Sequence, residues 1–279
     1  MPRIYVSSRY RTQNSESTSN FTFPLQSGAL EFGEGATATI DSLALSNVFD
    51  TVIEGHNRKI YARYYDAAAN TRLDKVLLLS VGDKTVTTLA TEVQTLLQGA
   101  NPGTGAWANT TVTCVAVGQK LKFGVTGLVA FSALEILTYD QIRTGKLTEA
   151  WTGTGADALV FSDAQEACAV LGVNQGTLEC IGATEKTGQL VDFQAYRTIY
   201  IHASGEADSV GPRGEGSIIL SVVVGNSTKG DIVTLNESYT AAPVSLPIAV
   251  SQMTFSVRDV RGKLLDLQGH DVSMCLVTQ

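Results

Sequence analysis

Residues 85–98 read Thr-Val-Thr-Thr-Leu-Ala-Thr-Glu-Val-Gln-Thr-Leu-Leu-Gln, and they break the pattern of everything before them. Leu89, Val93, Leu96 and Leu97 stand at i, i+4, i+7 and i+8, which is one face of an α-helix. Gly99, with Pro102 and Gly103 just after it, supplies the stop. On both sides the apolar residues recur with period two instead, the spacing of half-buried strands. Upstream, the segments 4–6, 21–25, 36–45, 59–65 and 75–80 read as strands, with a turn at Gly55-His56-Asn57. Downstream, 111–117 and 120–125 form a hairpin about Gly118-Gln119, and 129–137 reads as a third strand. A short helix is predicted over 163–171, where Asp163 with Glu166, or Ser162 with Gln165, makes a capping-box pattern and Gly172 closes it.

From residue 188 the period returns to two. The segments 190–193, 198–202, 217–224, 231–235, 244–250, 253–260, 264–267 and 272–277 are predicted strands, with Gly262-Lys263 turning the last group. The run 218–224 is almost wholly apolar and is expected to be buried on both faces. Many short strands punctuated by Gly and Asn turns suggest a mainly β protein, a jelly-roll β-sandwich with an inserted α+β subdomain. The expected division is 1–80 for the first part of the jelly roll, 81–185 for the inserted α+β subdomain and 186–279 for the second part.

Composition bounds the function. The chain has 279 residues, of which 44% are hydrophobic and only 17% charged, against about 25% charged in ordinary globular chains. So low a share of charge leaves a largely neutral surface, suited to cover by neighbours. The formal net charge is −7, which argues against a nucleic-acid binder, since these carry a basic face. The exception is a small basic cluster, Arg3, Arg9 and Arg11. The polar stretch 2–19 around it reads as an arm able to reach a neighbour or nucleic acid, and its removal is expected to leave the fold intact. The start of the chain carries no apolar leader segment, so the protein is not expected to be secreted. No apolar stretch approaches the ~20 residues of a spanning helix.

Catalytic chemistry is expected to be absent. There is no nucleophile elbow and no phosphate-binding loop, because neither the Gly-rich run 99–105 nor 211–216 lies between a strand and a helix. His56, His202 and His270 read as turn and strand residues rather than metal ligands. Asp259, Asp266 and Asp271 match no calcium loop, and Lys229-Gly230-Asp231 reads as a turn. Cys114, Cys168, Cys180 and Cys275 sit among apolar neighbours without metal-site spacing and are expected to be buried, reduced thiols. No catalytic, cofactor-binding or metal-binding residue is therefore assigned, and no cofactor.

Three stretches carry a resemblance. Ile4-Tyr5-Val6-Ser7-Ser8-Arg9 with Ser19-Asn20-Phe21-Thr22-Phe23 resembles the opening of penton or minor capsid proteins of virophages and polinton-like viruses. The strand and helix of 77–98, the hairpin after them and Ala169-Val170-Leu171-Gly172-Val173 are similar to a module of those proteins. Phe255-Ser256-Val257-Arg258-Asp259, with Gly262 and the Gly269-His270-Asp271 turn, resembles their closing hairpin. The resemblance implies a viral capsid structural protein: a penton-type vertex subunit, assembling as a homopentamer in an icosahedral shell beside a major capsid protein. Its place would be the virion, after assembly in the host cytoplasm or nucleus. The alternative is another minor capsid, spike or fibre protein with a receptor- or carbohydrate-binding role, for which Trp107, Tyr139 and Trp151 would be the exposed aromatics.

Overall fold

The computed structural model describes residues 3–25, 30–144, 147, 149–159, 171–173, 178–204, 217–224, 229–236, 242–246 and 249–279. It is mainly β, and every named strand pairing is antiparallel. The chain divides into two compact units, residues 1–49 with 196–279, and residues 50–195.

The first unit begins with β1 (Arg3–Ser7), β2 (Asn20–Pro24), β3 (Leu30–Glu31) and β4 (Thr37–Ser46). Residues 50–195 follow with β5 (Lys59–Asp66), β6 (Thr71–Leu78), α1 (Val86–Ala100), β7 (Thr111–Val117), β8 (Lys120–Thr126), β9 (Ala133–Ile136), α2 (Tyr139–Thr144), β10 (Leu178–Ile181) and β11 (Glu185–Leu190). The first unit resumes with β12 (Thr198–Ala203), β13 (Ile218–Val223), β14 (Ile232–Asn236), β15 (Val244–Ser245), β16 (Ala249–Val250), β17 (Gln252–Arg258) and β18 (Val272–Thr278).

In the first unit one sheet runs β1-β18-β4-β14, with β15 also on β4, and the other runs β13-β12-β17-β2. Alternation along each strand sends one set of side chains between the sheets. Ile4, Val6, Ile40, Leu43, Leu45 and Leu276 come from the first sheet, and Phe21, Ile199, Ile201, Phe255 and Val257 from the second, into one apolar core. Two sheets sharing one core is the arrangement of a β-sandwich. Phe21 and Phe255, register partners on β2 and β17, place their rings 5.7 Å apart inside it. The chain leaves the unit after Phe49 and returns at Tyr196, and these two rings pack edge to face at 4.8 Å.

The second unit has a four-stranded sheet, β10-β9-β5-β6, and a three-stranded one, β11-β8-β7, with α1 packed mainly on β7. Thr85 caps α1: its hydroxyl accepts from the Thr88 amide while the Thr88 hydroxyl accepts from the Thr85 amide, a capping box closed by two threonines. Val86, Leu89, Val93 and Leu97 are buried, but Leu96 is only half-buried. Gln94 and Gln98 reach from the helix to accept from the Cys114 and Val112 amides of β7.

Several expectations shift. The unit boundaries fall at 49/50 and 195/196 rather than 80/81 and 185/186, because β5 pairs with β6 and β9 and neither β5 nor β6 joins the sandwich. The strand expected at 190–193 ends at Leu190, where the Asp192 carboxylate turns the chain by accepting from the Gln194 amide. Residues 264–267 make one bridge, Arg258 to Leu264, and no strand. The apolar run at β13 lies at the edge of its sheet; Ile218, Ile219 and Leu220 are buried in succession, so both faces are covered there, while Val223 is exposed. The helix expected at 163–171 lies outside the described residues, apart from Leu171.

Candidate interaction surfaces

The outer face of the β1-β18-β4-β14 sheet is built by the same alternation that fills the core. Tyr5, Ser42, Ala44, Thr234 and Ser273 point away from the apolar interior, and with Tyr10 and Cys275 they line a shallow groove of about 350 Å³. A register shift between Cys275 and Leu276 skips one residue of β4, so Asp41 and Ser42 both fall on the outer side. Tyr5 is 70% and Tyr10 65% exposed. Arg3 pairs with Asp41 on this side of the sheet at 3.4 Å. Exposed tyrosines with little charge around them are features of a surface that protein partners cover.

The N-terminal stretch is not a free arm from residue 3 onward. β1 pairs with β18 along its length, from Arg3 opposite Val277 to Ser7 opposite Ser273. Ser8 is fully buried; its hydroxyl donates to Asp271 Oδ1 at 3.0 Å and accepts from the Val272 amide at 2.9 Å. The Ser-rich residues beyond it lie along the edge of β2. Thr12 donates its amide to Thr22 O, Ser15 Oγ accepts from the Thr22 amide, and Ser17 exchanges bonds with Asn20. This covers a strand edge that would otherwise pair with another chain. The sequence shows polar residues here, but a serine hydroxyl bonded to a strand edge looks like any other serine.

The second unit holds a charge row that periodicity could not show. The register sets Arg63 of β5 opposite Asp74 of β6 on one side and Glu135 of β9 on the other, with Glu179 of β10 next to Glu135. Arg63 Nε lies 2.7 Å from Asp74 Oδ1 and Nη1 lies 3.4 Å from Glu135 Oε2, all three side chains being buried. Nη2 also donates to the carbonyls of Glu149 and Ala150, and Asp74 accepts from the amide and hydroxyl of Thr152. Burial drives the Glu135 carboxyl above its ordinary value, although the Arg63 guanidinium opposes this. The Trp151 ring covers Arg63 and packs edge to face on Tyr61. The row therefore fixes the loop 149–157 over the sheet.

The residues singled out in the sequence are dispersed. His56 Nε2 is hydrogen-bonded to the Ala195 carbonyl, His202 is buried beside Ser217, and His270 is exposed in a turn. Asp259 is 2% exposed and holds its own turn, accepting from the Arg261 and Lys263 amides and from Arg261 Nε. Asp266 and Asp271 likewise accept from Gln268 and Ser8. Lys229-Gly230-Asp231 is an exposed turn leading into β14, tied to both backbone groups of Asn47. Trp107 is a core residue that donates to the Tyr65 carbonyl and packs edge to face with Tyr64, so it offers no exposed aromatic. Cys114, Cys180 and Cys275 are free and buried, and burial pushes the thiols of Cys114 and Cys180 up to about 12 and about 11. Cys168, the run 211–216 and the Tyr139 side chain lie outside what is described. Among the described residues, no group of three or more His, Cys, Asp or Glu side chains could hold a metal, and no helix is long and apolar enough to cross a membrane.

The chain resembles a virophage penton protein. The crystal structure of the mavirus penton protein matches over 100% of this chain and 99% of its own, with a TM-score of 0.53 and 7% sequence identity. Because the match spans both chains, it extends across both compact units rather than the sandwich alone. At that identity the likeness is one of fold. No protein-family model matches the sequence, and no curated protein is similar to it.

Proposed function

We propose that this chain is a structural, non-enzymatic capsid subunit of the penton type, a jelly-roll protomer carrying residues 50–195 as an insertion. It assembles as a homopentamer and occupies the vertices of an icosahedral shell, beside the major capsid protein, in virions assembled inside the host cell. The observation that carries this reading is the strand order. Counting only the eight long strands of the first unit, the sheets read first-eighth-third-sixth and fifth-fourth-seventh-second. That is the order of two Greek keys wound into a double-sheet roll, the architecture of many capsid proteins. The insertion falls between the third and fourth of these strands. The match in fold to the mavirus penton protein over the full length supports the same reading.

A ring needs two different complementary sides on each protomer, because a cyclic contact is heterologous. The outer face with Tyr5 and Tyr10, next to β1 at the end of the sheet among the described residues, supplies one such side. Sub-nanometre density of particles containing this chain tests the proposal. Five copies of the sandwich around each five-fold vertex are expected. Vertices filled by another protein, with this chain at other positions or on a fibre, would overturn it.

A further inference from the structure

We infer that one end of the second unit is a membrane-contacting tip, whose neighbouring loops set Phe131, Val129 and Ile181 to sink into the neutral interface of a phospholipid bilayer. The inference is independent of the penton reading, since it rests on residues 50–195 alone. The strand directions gather the loops. β5 ends at Asp66 and turns through 67–70, and α1 runs out toward 103–109. β8 ends at Thr126 and turns through 127–132 into β9, and β10 ends at Ile181 and turns through 182–184 into β11. Hydrogen bonds tie these turns together. The Ser132 hydroxyl accepts from the Ala67 amide at 3.1 Å, and the Ser132 carbonyl accepts from the Gly182 amide at 2.7 Å. Asp66 accepts from the Ala68 and Ala69 amides with one oxygen and from the Ala106 amide with the other. The chain enters the unit ahead of β5 and leaves it after β11, at the opposite ends of those strands.

The turn at 129–132 is closed by the Ser132 amide on the Val129 carbonyl at 3.1 Å, and Phe131 holds φ at +67° inside it. Glycine or asparagine normally fills that conformation, and a bulky residue there is an outlier. Such strain persists where the surroundings enforce it, and it gathers at functional sites. Here Ser132, 0% exposed, anchors the turn from below. The aromatic ring gains little from the fold in return: Phe131 is 80% exposed, with Val129 at 50% and Ile181 at 48%. Apolar side chains held out together against both preferences mark a contact with something outside the chain.

The chemistry of the tip selects lipid. Residues 67–70, 103–109, 127–132 and 181–184 contain no Asp, Glu, Lys, Arg or His, where a share of 17% charged would place several. Ionised side chains are what make entry into a bilayer costly. The other cost is an unbonded peptide group, and the amides of Ala67, Ala68, Ala69, Ser132, Gly182 and Thr184 are bonded within the unit. A protein partner is met with a hydrogen bond for about every 100–200 Å², and these amides have none left to give. A chain of net charge −7 without a basic residue in these loops suits zwitterionic rather than anionic lipid. The contact is peripheral, with side chains lodged at the boundary between headgroups and acyl chains.

The test places a reporter at the tip of the full chain. Phe131→Trp is titrated with phosphatidylcholine vesicles, and the native chain, whose Trp107 is buried, supplies the fluorescence baseline. The added indole should shift to the blue and be quenched by brominated acyl chains. Half-saturation should fall near ~1 mM lipid, weaker than the ~0.1 mM of a single myristoyl chain. Phosphatidylserine in the vesicles should not tighten binding, and adding Val129→Asp should weaken it at least ~10-fold. Phe131→Gly should abolish co-sedimentation with the vesicles while the unfolding midpoint stays at or above the native one, because glycine relieves the turn. No spectral shift up to ~10 mM lipid, binding that requires phosphatidylserine, or binding indifferent to Val129→Asp would overturn the inference. So would a lowered midpoint in Phe131→Gly, which would make Phe131 a packing residue. Self-association without lipid that Phe131→Gly abolishes would assign the tip to a second copy instead.

Discussion

Arg63 shows how a single side chain organises its surroundings. It is buried between Asp74 and Glu135, and its remaining donors reach the Glu149 and Ala150 carbonyls. Removing one partner of a buried ion pair leaves an uncompensated charge, which costs far more than the intact pair contributes. Asp74→Ala also takes the acceptor from Thr152. It should lower stability by about 3–5 kcal/mol, read from the shift of the chemical denaturation midpoint. A shift no larger than that of an ordinary surface change would mean that water reaches Arg63. Glu135 gives a prediction in pH. Burial raises its carboxyl above the ordinary 4.5, so the folded state holds that proton more tightly than the unfolded chain does. The resulting stability is present in full below 4.5 and is lost as pH rises through the raised folded value. Glu135→Gln does not titrate, so its stability relative to the native protein should climb between pH 4 and pH 7, as followed by thermal melts across that range. A flat difference would show that Arg63 compensates the burial completely.

At the scale of elements, α1 separates what spacing can tell from what it cannot. The positions i, i+4, i+7 and i+8 located the helix, and Thr85 is its N-cap. They did not rank the face: Leu97 is fully buried, Leu96 lies at its margin, and Val86 and Ala90 join the core unannounced. Leu97→Ala should cost about 2–5 kcal/mol, and Leu96→Ala clearly less, both measured by urea unfolding. Equal costs would mean that the helix sits rotated about its axis. β1 carries a prediction opposite to the one its sequence invites. A polar, arginine-bearing N-terminus suggests a removable arm, yet Ile4 and Val6 are core residues and Ser8 fastens β1 to the start of β18. Deleting residues 1–18 should therefore destabilise the sandwich and uncover the edges of β18 and β2. Circular dichroism melts and light scattering would register a lower midpoint and aggregation; an unchanged midpoint would restore the arm.

For the whole molecule, the two units have separate cores, and Phe49 and Tyr196, where one unit hands over to the other, pack edge to face. Chain ends held that close suit an insertion. Replacing residues 50–195 by a short Gly-Ser linker should leave a cooperatively folding β-sandwich, seen as a single unfolding transition with a strand-type far-ultraviolet spectrum. A product without cooperative unfolding would mean that the sandwich depends on the second unit. The sequence by itself determined the class of the fold, most of its strands, the helix, the hairpin at Gly118-Gln119 and the burial of Cys114, Cys180 and Cys275. Each of these is written in a local period or an apolar context a few residues long. Only the tertiary structure decided which strands share a sheet. β5 and β6 read like sandwich strands but belong to the sheet of β9 and β10, and the apolar run of β13 lies at an edge. The row of Asp74, Arg63 and Glu135 was equally out of reach. Arg63 and Glu135 are 72 residues apart in the chain, and register, fixed by the whole pairing of the sheet, brings them side by side.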